Sequence, residues 1–247
     1  KNEENILNES RDLLSNVGDL ERMLSKISTS RITPRELVRF KDSLITCDEM
    51  INYLDNKQKN KTIKKILSNY SSCTEITMDL ESKIDDDAPV NILKGRTIKS
   101  GVSNELDNYR ELASSSERVL DEIKIREIEK TGISSLKIAY NNVFGYFLEV
   151  RNTHKDKVPD EWIRKQTLVS AERYITEELK ELEVKIINAK SMIQELESNI
   201  YFKIVSSLIP HILKIQSNAT LIARLDCLTS FSKERLNRYC ESFYILK

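Results

Sequence analysis

The sequence predicts a mainly α protein, in which a helical core carries a long antiparallel coiled-coil arm capped by a small α/β unit. Three observations support this fold class. The 247 residues include only five Gly and four Pro, and 32% of them are charged, which is typical of long solvated helices. Two stretches with heptad-like spacing flank one central segment. That segment is rich in aromatic residues and alternates as strands do.

Residues 1–90 are predicted to form the helical core. Apolar residues at helical spacing over 1–30 predict one helix that ends at the Ser-Thr-Ser run 28–30. The TPRE sequence at 33–36 predicts a new helix start, with a hydroxyl N-cap, Pro in the first turn and Glu at the capping-box position. The basic run 56–65 predicts a turn and a further helix start, and a solvated surface is preferred there over a DNA-binding patch. Three consecutive Asp at 85–87 predict a solvated turn, because a Ca²⁺ or Mg²⁺ loop needs spaced ligands.

Two apolar seams with alternating steps of three and four residues predict the arm. The first seam contains Leu106, Tyr109, Ala113, Ser116, Leu120 and Ile123, and the second contains Leu179, Leu182, Ile186, Ala189, Ile193, Leu196 and Ile200. Because the seams flank the central segment almost symmetrically, we prefer an antiparallel pair within one chain; a coiled coil between chains is the alternative. Pro210 is expected to break the returning helix. The helix after it should pack against residues 1–90.

The central segment 132–176 predicts a small sheet. Leu136, Ile138 and Tyr140 alternate with more polar neighbours, and the run 146–151 repeats the pattern. The Asn pair at 141–142 suits a hairpin turn, since Asn tolerates positive φ. Trp162 is expected to pack against this sheet. Six cations over 151–173 stand against four carboxylates, in a chain whose 39 basic and 39 acidic residues cancel. From this modest excess alone, DNA contact and an ordinary solvated surface both remain open.

Several blocks of the sequence resemble one protein family. SLKIAYNNVFGYFLEV and IRKQTLVSAERYITEELKELE are similar to the clamp region of MutS, a family of DNA mismatch-repair proteins. VGDLERMLSKISTSRITPRELVRFKDSL, GVSNELDNYRELASSSERVLDEI and ATLIARLDCLTSF resemble its core, or lever, region. The resemblance implies a core/lever domain over 1–116, a clamp domain over 117–176 at the arm tip, and a returning arm helix with the second part of the core/lever domain over 177–247.

The resemblance also implies a function. In this family the clamp holds duplex DNA by its phosphate backbone without choosing a sequence, and the arm acts as a lever toward an ATPase domain that this chain lacks. At matching positions the implied backbone contacts are Asn141, Lys165 and Ser170, with Arg164, Gln166 and Thr167 as their supports. Many family members have Asn in place of Ser170, and the shorter hydroxyl can still donate a hydrogen bond to phosphate.

The residues do not predict an enzyme. The sequence contains no GxxxxGK[ST] phosphate loop, and its four Cys and two His show no metal-ligand spacing. We therefore expect no catalytic residues, metal site or cofactor in this chain, whereas the resemblance implies ATP and Mg²⁺ for full-length relatives. The Phe147-Leu148-Glu149 sequence matches the Phe-x-Glu pattern of the family's mismatch reader, but that motif belongs to a separate domain, so strand alternation is the preferred interpretation.

The resemblance implies partners and a location as well. They are double-stranded DNA, a second copy in a DNA-encircling homodimer of the full-length protein, and downstream mismatch-repair proteins, in the cytoplasm at the bacterial nucleoid. No apolar run approaches the length of a membrane span. The alternative hypothesis is a structural coiled-coil protein whose tip binds a protein partner.

Overall fold

The computed structural model describes the backbone of residues 2–245 and the side chains of residues 4–234. The chain divides into two compact units: Lys1–Val102 with Glu197–Lys247 form unit 1, and Ser103–Leu196 form unit 2. Long helices dominate both units, and unit 2 contains one four-stranded antiparallel sheet. This confirms the predicted mainly α fold with a small α/β part.

Unit 1 is built from helices and short connections. Its elements are α1 (Asn2–Asn16), α2 (Leu20–Ser28), α3 (Pro34–Lys57), α4 (Lys61–Leu67), α5 (Thr74–Lys83), the C-terminal end of α7 (Glu177–Ser207), and α8 (Ile212–Ile245). Pro210 lies in the short 3-10 helix Ile209–His211 that separates α7 from α8, so the predicted break is confirmed. Helix α8 packs against α1 and α2, as its apolar face predicted.

The single helix predicted over 1–30 is in fact two helices. The break lies at 17–19, where the Gly18 N–H donates to Ser43 Oγ at 3.0 Å and the Asp19 carboxylate caps α2 by accepting from the Arg22 N–H at 2.9 Å. Gly18 lies close to Met23 and Ser43, so a side chain there would crowd both residues. Gly followed by Asp is an ordinary helix breaker and N-cap pair, and the long apolar periodicity concealed it.

Helix α3 begins as predicted, with a reciprocal capping box. The Glu36 N–H donates to Thr33 Oγ1 at 3.3 Å, and the Thr33 N–H donates to Glu36 Oε2 at 3.1 Å. The apolar face of this helix is buried in the core of unit 1: Leu37, Phe40, Leu44, Cys47 and Ile51. Burial raises the pKa of the Cys47 thiol to about 12, which leaves that sulfur protonated and unreactive.

The Asp run at 85–87 does more than face solvent. Asp86 accepts hydrogen bonds from Lys41 at 2.5 Å and from Lys99 at 3.3 Å, and the Lys41 side chain is largely buried on α3. These bonds, the one from Lys41 first, hold the pKa of the Asp86 carboxyl below its ordinary value. The run therefore links the end of α5 to α3 inside unit 1.

Two polar side chains fix the loop that leads into α5. Asp48 on α3 accepts from the Tyr70 hydroxyl at 2.7 Å and from the Cys73 N–H at 3.2 Å. Asn218 on α8 is buried; its Nδ2 donates to the Ser71 carbonyl at 2.7 Å and its Oδ1 accepts from the Ser71 N–H at 3.1 Å. The loop thereby satisfies its backbone groups without regular secondary structure.

Unit 2 consists of α6 (Asn104–Thr131), the strands β1 (Lys137–Asn141), β2 (Gly145–Arg151), β3 (Ile163–Thr167) and β4 (Ala171–Ile175), and most of α7. The strand order is β1-β2-β4-β3, with antiparallel neighbours throughout. The predicted hairpin over 137–151 is confirmed, with Asn141 paired to Gly145 across a turn at 142–144.

Helices α6 and α7 form the predicted antiparallel pair within the chain. Lys190 pairs with Glu117 at 2.8 Å and Glu178 pairs with Arg126, so the contacts run in opposite directions along the two helices. The buried cluster of unit 2 joins both seams to the inner face of the sheet: Leu120, Ile123, Ile133, Leu136, Leu148, Val150, Trp162, Tyr174, Leu179, Leu182 and Ile186. Trp162 lies 6.0 Å from the Tyr174 ring, between centroids, and is buried as predicted.

Replacement of Asn218 should destabilise unit 1. Asn218→Ala removes both hydrogen bonds between this buried amide and the Ser71 backbone, which at about 0.5–1.5 kcal/mol each lowers the free energy of unfolding by about 1–3 kcal/mol. Urea unfolding followed by circular dichroism measures this loss. Gln216→Ala, an exposed amide on the same helix, is the matched control, and equal stability of the two variants would contradict the assigned role.

Replacement of Gly145 should weaken the β1–β2 hairpin. Gly145 has φ +73°, and a Cβ there would overlap the Glu183 carboxylate, which accepts from the Tyr146 N–H at 3.3 Å. Gly145→Ala therefore adds a second cost to a backbone strain of about 1–2 kcal/mol, because the flexible Glu183 side chain must move aside and lose its hydrogen bond from the Tyr146 N–H. Amide hydrogen exchange along β1 and β2 measures the opening of the hairpin.

Gly132→Ala provides the control for that experiment. Gly132 has φ +64° with open space around its Cα, so alanine there meets strain without overlap. We expect Gly145→Ala to lose more stability than Gly132→Ala. When Glu183→Ala is already present, the loss caused by Gly145→Ala should fall to that caused by Gly132→Ala. A loss at Gly145 that is no larger than at Gly132 would show that the Glu183 contact is unimportant.

Candidate nucleic-acid interface

The predicted contact residues on β3 occupy an exposed edge of the sheet. Strand β3 pairs only with β4, so its other side has no neighbour within the sheet. Arg164, Lys165 and Thr167 are exposed and Gln166 is half-buried. An edge strand with cationic and hydroxyl side chains can approach a nucleic-acid backbone without displacing the core.

A β-bulge sets the position of Lys165. In the ladder Arg164 faces Tyr174 and Gln166 faces Arg173, so Lys165 is the extra residue between two consecutive pairs. Bulges redirect side chains and are common beside functional sites. No carboxylate of the described residues lies within ion-pair distance of Lys165. The Lys165 ammonium group is therefore available to an external anion.

Arg164 is partly neutralised by its neighbours. Its guanidinium lies 3.4 Å from Glu172, whose carboxylate also accepts a short hydrogen bond from the Tyr174 hydroxyl. That bond, together with the nearby Arg164, lowers the pKa of Glu172. Burial, followed by the bond to Glu172, raises the pKa of Tyr174 to about 12. Glu172 thus stays ionised at neutral pH and offsets the charge of Arg164.

Gln166 belongs to a hydrogen-bonded network on the outer face of the sheet. Its Oε1 accepts from Arg173 Nη1 at 2.8 Å, and Arg173 Nε donates to Glu149 at 3.1 Å. The Arg173 guanidinium also lies 4.4 Å from the centroid of the Phe147 ring. Gln166 is therefore engaged within the protein, beside the bulge that carries Lys165.

The same network explains the Phe147-Leu148-Glu149 sequence. Phe147 is only 2% exposed and lies beneath Arg173, and Glu149 is the ion-pair partner of that arginine. A buried ring has no face free for stacking on a base. The strand interpretation of this triplet agrees with these contacts.

Ser170 lies in the turn between β3 and β4. The turn closes through a hydrogen bond from the Leu168 N–H to the Ala171 carbonyl at 2.8 Å, and the side chains of Val169 and Ser170 are exposed. Asn152, which follows β2, donates from its backbone to the Ser170 carbonyl at 3.1 Å and from Nδ2 to the Val169 carbonyl at 3.0 Å. Two loops that are distant in sequence are thereby joined.

Asn141 does not lie with the other predicted residues. It pairs with Gly145 at the start of β2, whereas Arg151 at the end of β2 pairs with Ala171, next to Ser170. The six residue steps from Gly145 to Arg151 place these ends about 20 Å apart at ~3.3 Å per residue. The Asn141 Oδ1 accepts from the N–H groups of Val143 and Phe144, so its side chain also shapes its own turn.

Three further cations lie at and just after the end of β2. Arg151 ends β2, and Lys155 and Lys157 lie in the 3-10 helix Asn152–Lys157, which packs against β2 and β4. All three are exposed. Their charge was visible in the sequence as part of the 151–173 excess, but only the sheet register places Arg151, and the 3-10 helix that follows it, at the same end of the sheet as Ser170. We call Arg151, Lys155, Lys157, Lys165 and Ser170 the end surface.

The sequence contains no Gly-rich phosphate loop. Within the part of the chain whose side chains the structure describes, His, Cys, Asp and Glu do not form a group of three that could hold a metal ion. None of the described helices combines the length and apolar character required to cross a membrane.

Comparison with known proteins places this geometry in a family. A sequence model of MutS family domain IV matches residues 101–192, which are almost the same residues as unit 2. The DNA mismatch repair protein MutS of Flavobacterium psychrophilum is 46% identical over 97% of this chain and 28% of its own length. The proteins of the same name from Christiangramia forsetii and Bacteroides fragilis are each 50% identical, over 93% and 90% of this chain and 26% of their own lengths.

The similarity is thus high and covers nearly the whole chain, whereas the chain spans about a quarter of the length of these curated relatives. Their shared segment includes both units and all four strands of the sheet. Over this segment the chain belongs to the MutS family of DNA mismatch-repair proteins, and it contains the family's domain IV.

Proposed function

We propose that unit 2 binds duplex DNA through the phosphate backbone, without sequence preference, as the clamp of a MutS-type mismatch-repair protein. The observation that carries this proposal is the unpaired Lys165 ammonium group on the bulged edge strand β3, which leads into the turn that carries the exposed Ser170. Ammonium and hydroxyl groups bind phosphate oxygens and carry no information about the base sequence.

The charge of the end surface supports an anionic partner. Arg151, Lys155, Lys157 and Lys165 are exposed, and Asp156 is the acidic residue within the same stretch 151–157. Release of counterions from DNA makes such a surface attractive to duplexes and sensitive to salt. Arg164 contributes less than a full charge because Glu172 lies 3.4 Å away.

Asn141 is proposed as a separate contact. It lies at the opposite end of β2 from Ser170, so both residues would touch DNA only if the duplex ran along the sheet. About 20 Å corresponds to roughly six base pairs, since the phosphates of one strand recur about every 3.4 Å along the axis. Gln166 and Thr167 lie on β3 between Lys165 and the β3–β4 turn, and we propose them as supports of Lys165.

The paired helices α6 and α7 are proposed to act as a lever. The buried seam between the two helices supports this proposal, and the ion pairs Glu117–Lys190 and Arg126–Glu178 also connect them. The lever would act on an ATPase domain outside this chain, where ATP and Mg²⁺ would bind, so this chain is not itself an enzyme. The domain division 1–116, 117–176 and 177–247 stays part of this proposal.

The proposed setting is a bacterial cytoplasm, at the nucleoid. The full-length protein would form a homodimer that encircles DNA and would recruit downstream mismatch-repair proteins. These statements rest on the family and on the names of the bacterial relatives.

A protein-binding tip is the second candidate function. Val169 is fully exposed in the β3–β4 turn and Val143 is 80% exposed in the β1–β2 turn. Exposed apolar side chains at the turns of a structural coiled-coil protein would suit a protein partner. This candidate predicts that charge changes at Lys165 leave duplex affinity unchanged.

Neutralisation of Lys165 should weaken binding of duplex DNA. Lys165→Gln removes one phosphate contact, so the slope of log K against log salt should become shallower by about 0.9, with affinity several-fold lower at low salt. Fluorescence anisotropy with perfectly paired and mismatched duplexes measures both quantities, and the two duplexes should bind alike. Lys185→Gln, an exposed lysine on α7, is the control. Equal binding of the two variants would favour the protein-binding tip.

Removal of the Glu172 carboxylate that pairs with Arg164 should strengthen the binding of duplex DNA. Glu172→Gln removes the carboxylate that lies against Arg164, so the guanidinium becomes available to phosphate and one repulsive charge disappears. We expect a rise in duplex affinity of about two- to five-fold at low salt. Glu181→Gln, on the exposed face of α7, removes the same charge away from the sheet. A change of the same size in both variants would show that overall charge, and not Arg164, sets the affinity.

A further inference from the structure

We propose that Asn152 is a positioning residue of the end surface: it locks the β3–β4 turn onto the segment 151–157, so that Ser170 and Lys165 meet the same duplex as Arg151, Lys155 and Lys157. This inference rests on the proposed backbone binding and identifies what organises that site. Neither the family blocks nor the charge count pointed to this asparagine.

Asn152 donates two hydrogen bonds, one to each of two consecutive backbone carbonyls in the β3–β4 turn. The Asn152 N–H donates to the Ser170 carbonyl at 3.1 Å, and Asn152 Nδ2 donates to the Val169 carbonyl at 3.0 Å. Arg151 and Ala171 form the last pair of the β2–β4 ladder, so the backbone bond continues the ladder by one step. The side-chain bond then fixes the next peptide plane, beyond the end of regular pairing.

This contact matters because the turn has few other restraints. Val169 and Ser170 are exposed, and the turn itself is closed by the bond from the Leu168 N–H to the Ala171 carbonyl. Hairpin turns with exposed residues are mobile unless further hydrogen bonds hold them. A hydroxyl on a mobile turn has to be ordered when DNA binds, and that ordering reduces the affinity.

The hydrogen bonds from Asn152 also change the electrostatics of the turn. Two carbonyl oxygens in an exposed turn would repel phosphate oxygens, and Asn152 occupies both of them as hydrogen-bond acceptors. Asn152 also begins the 3-10 helix that carries Lys155 and Lys157. The nearby charge of Lys155 contributes to the lowered pKa of Glu172 on β4, which agrees with the packing of this helix on the sheet.

The side chain of Asn152 is suited to this role and is not easily replaced. It needs a donor at short reach from the backbone, which an amide provides. Aspartate has the same shape but only acceptor oxygens, and it would repel the Val169 carbonyl. Alanine removes the side-chain donor and leaves the backbone N–H in place, so Asn152→Ala isolates the side-chain bond.

The test is a double-mutant cycle on duplex binding. Asn152→Ala, Ser170→Ala and the double variant are compared with the unaltered chain by anisotropy, using a labelled perfectly paired duplex at several salt concentrations. Asn142→Ala, an exposed asparagine in the β1–β2 turn, is the matched control. We expect Asn152→Ala to bind the duplex about three- to ten-fold more weakly and Asn142→Ala to bind it unchanged. The affinity of the double variant should be close to that of whichever single variant binds more weakly.

A second readout separates positioning from a general loss of structure. Amide hydrogen exchange should quicken at residues 168–170 in Asn152→Ala, while β1, β2 and the helices keep their protection and the melting temperature is unchanged. A structural role alone would lower the melting temperature without the coupling to Ser170.

Three results of these binding measurements would contradict one or both proposals. In one outcome Asn152→Ala binds DNA as tightly as Asn142→Ala, while Lys165→Gln binds more weakly. That result would support backbone binding and overturn the role of Asn152. Additive losses for Asn152→Ala and Ser170→Ala also overturn it, because two independent contacts would be at work. No salt-dependent binding by the unaltered chain refutes the proposed function itself, and the inference falls with it.

Discussion

The interaction on which unit 2 depends is the apolar seam between α6 and α7. Leu120 and Ile123 meet Leu179, Leu182 and Ile186 in one buried cluster. Full burial of each such side chain contributes about 1.5–3 kcal/mol. Because the two helices are antiparallel, the seam returns the chain and gives the sheet an apolar surface to cover. A four-stranded sheet of short strands gains its stability from such a surface.

Burial of one sheet face determines where function can lie. The inner face, with Leu148 and Tyr174, belongs to the cluster, so contacts with a partner are left to the outer face, the edge strand and the turns. On the outer face Arg173 donates hydrogen bonds to Glu149 and Gln166 and lies over the Phe147 ring, so these side chains are already engaged within the protein. The bulged edge strand presents Lys165, an exposed lysine with no ion-pair partner among the described residues. A bulge and a lysine also discourage pairing with another strand, so the same features protect the edge.

The proposed site was only partly predictable. The family blocks gave Asn141, the β3 residues and Ser170 as one set of DNA contacts; the structure places the β3 residues on an edge strand and Ser170 in an exposed turn. The strand order puts Asn141 at the far end of β2, about 20 Å away by the rise of a strand. Conversely, Arg151, Lys155 and Lys157 were counted as charge without being assigned to the site, since only the β2–β4 register places Arg151, and the 3-10 helix after it, at the same end of the sheet as the β3–β4 turn.

The sequence by itself determined the fold class, the antiparallel arm, the α3 capping box and the break at Pro210, because each follows from periodicity or from one residue's local chemistry. It missed the break at Gly18, where local chemistry competed with a long apolar period. The tertiary structure alone decided which cations lie together, that Glu172 offsets Arg164, that Arg173 engages Gln166, and that Asn152 holds the β3–β4 turn. These contacts depend on strand order and register, which are set by burial of the whole sheet and leave no short-range pattern in the sequence.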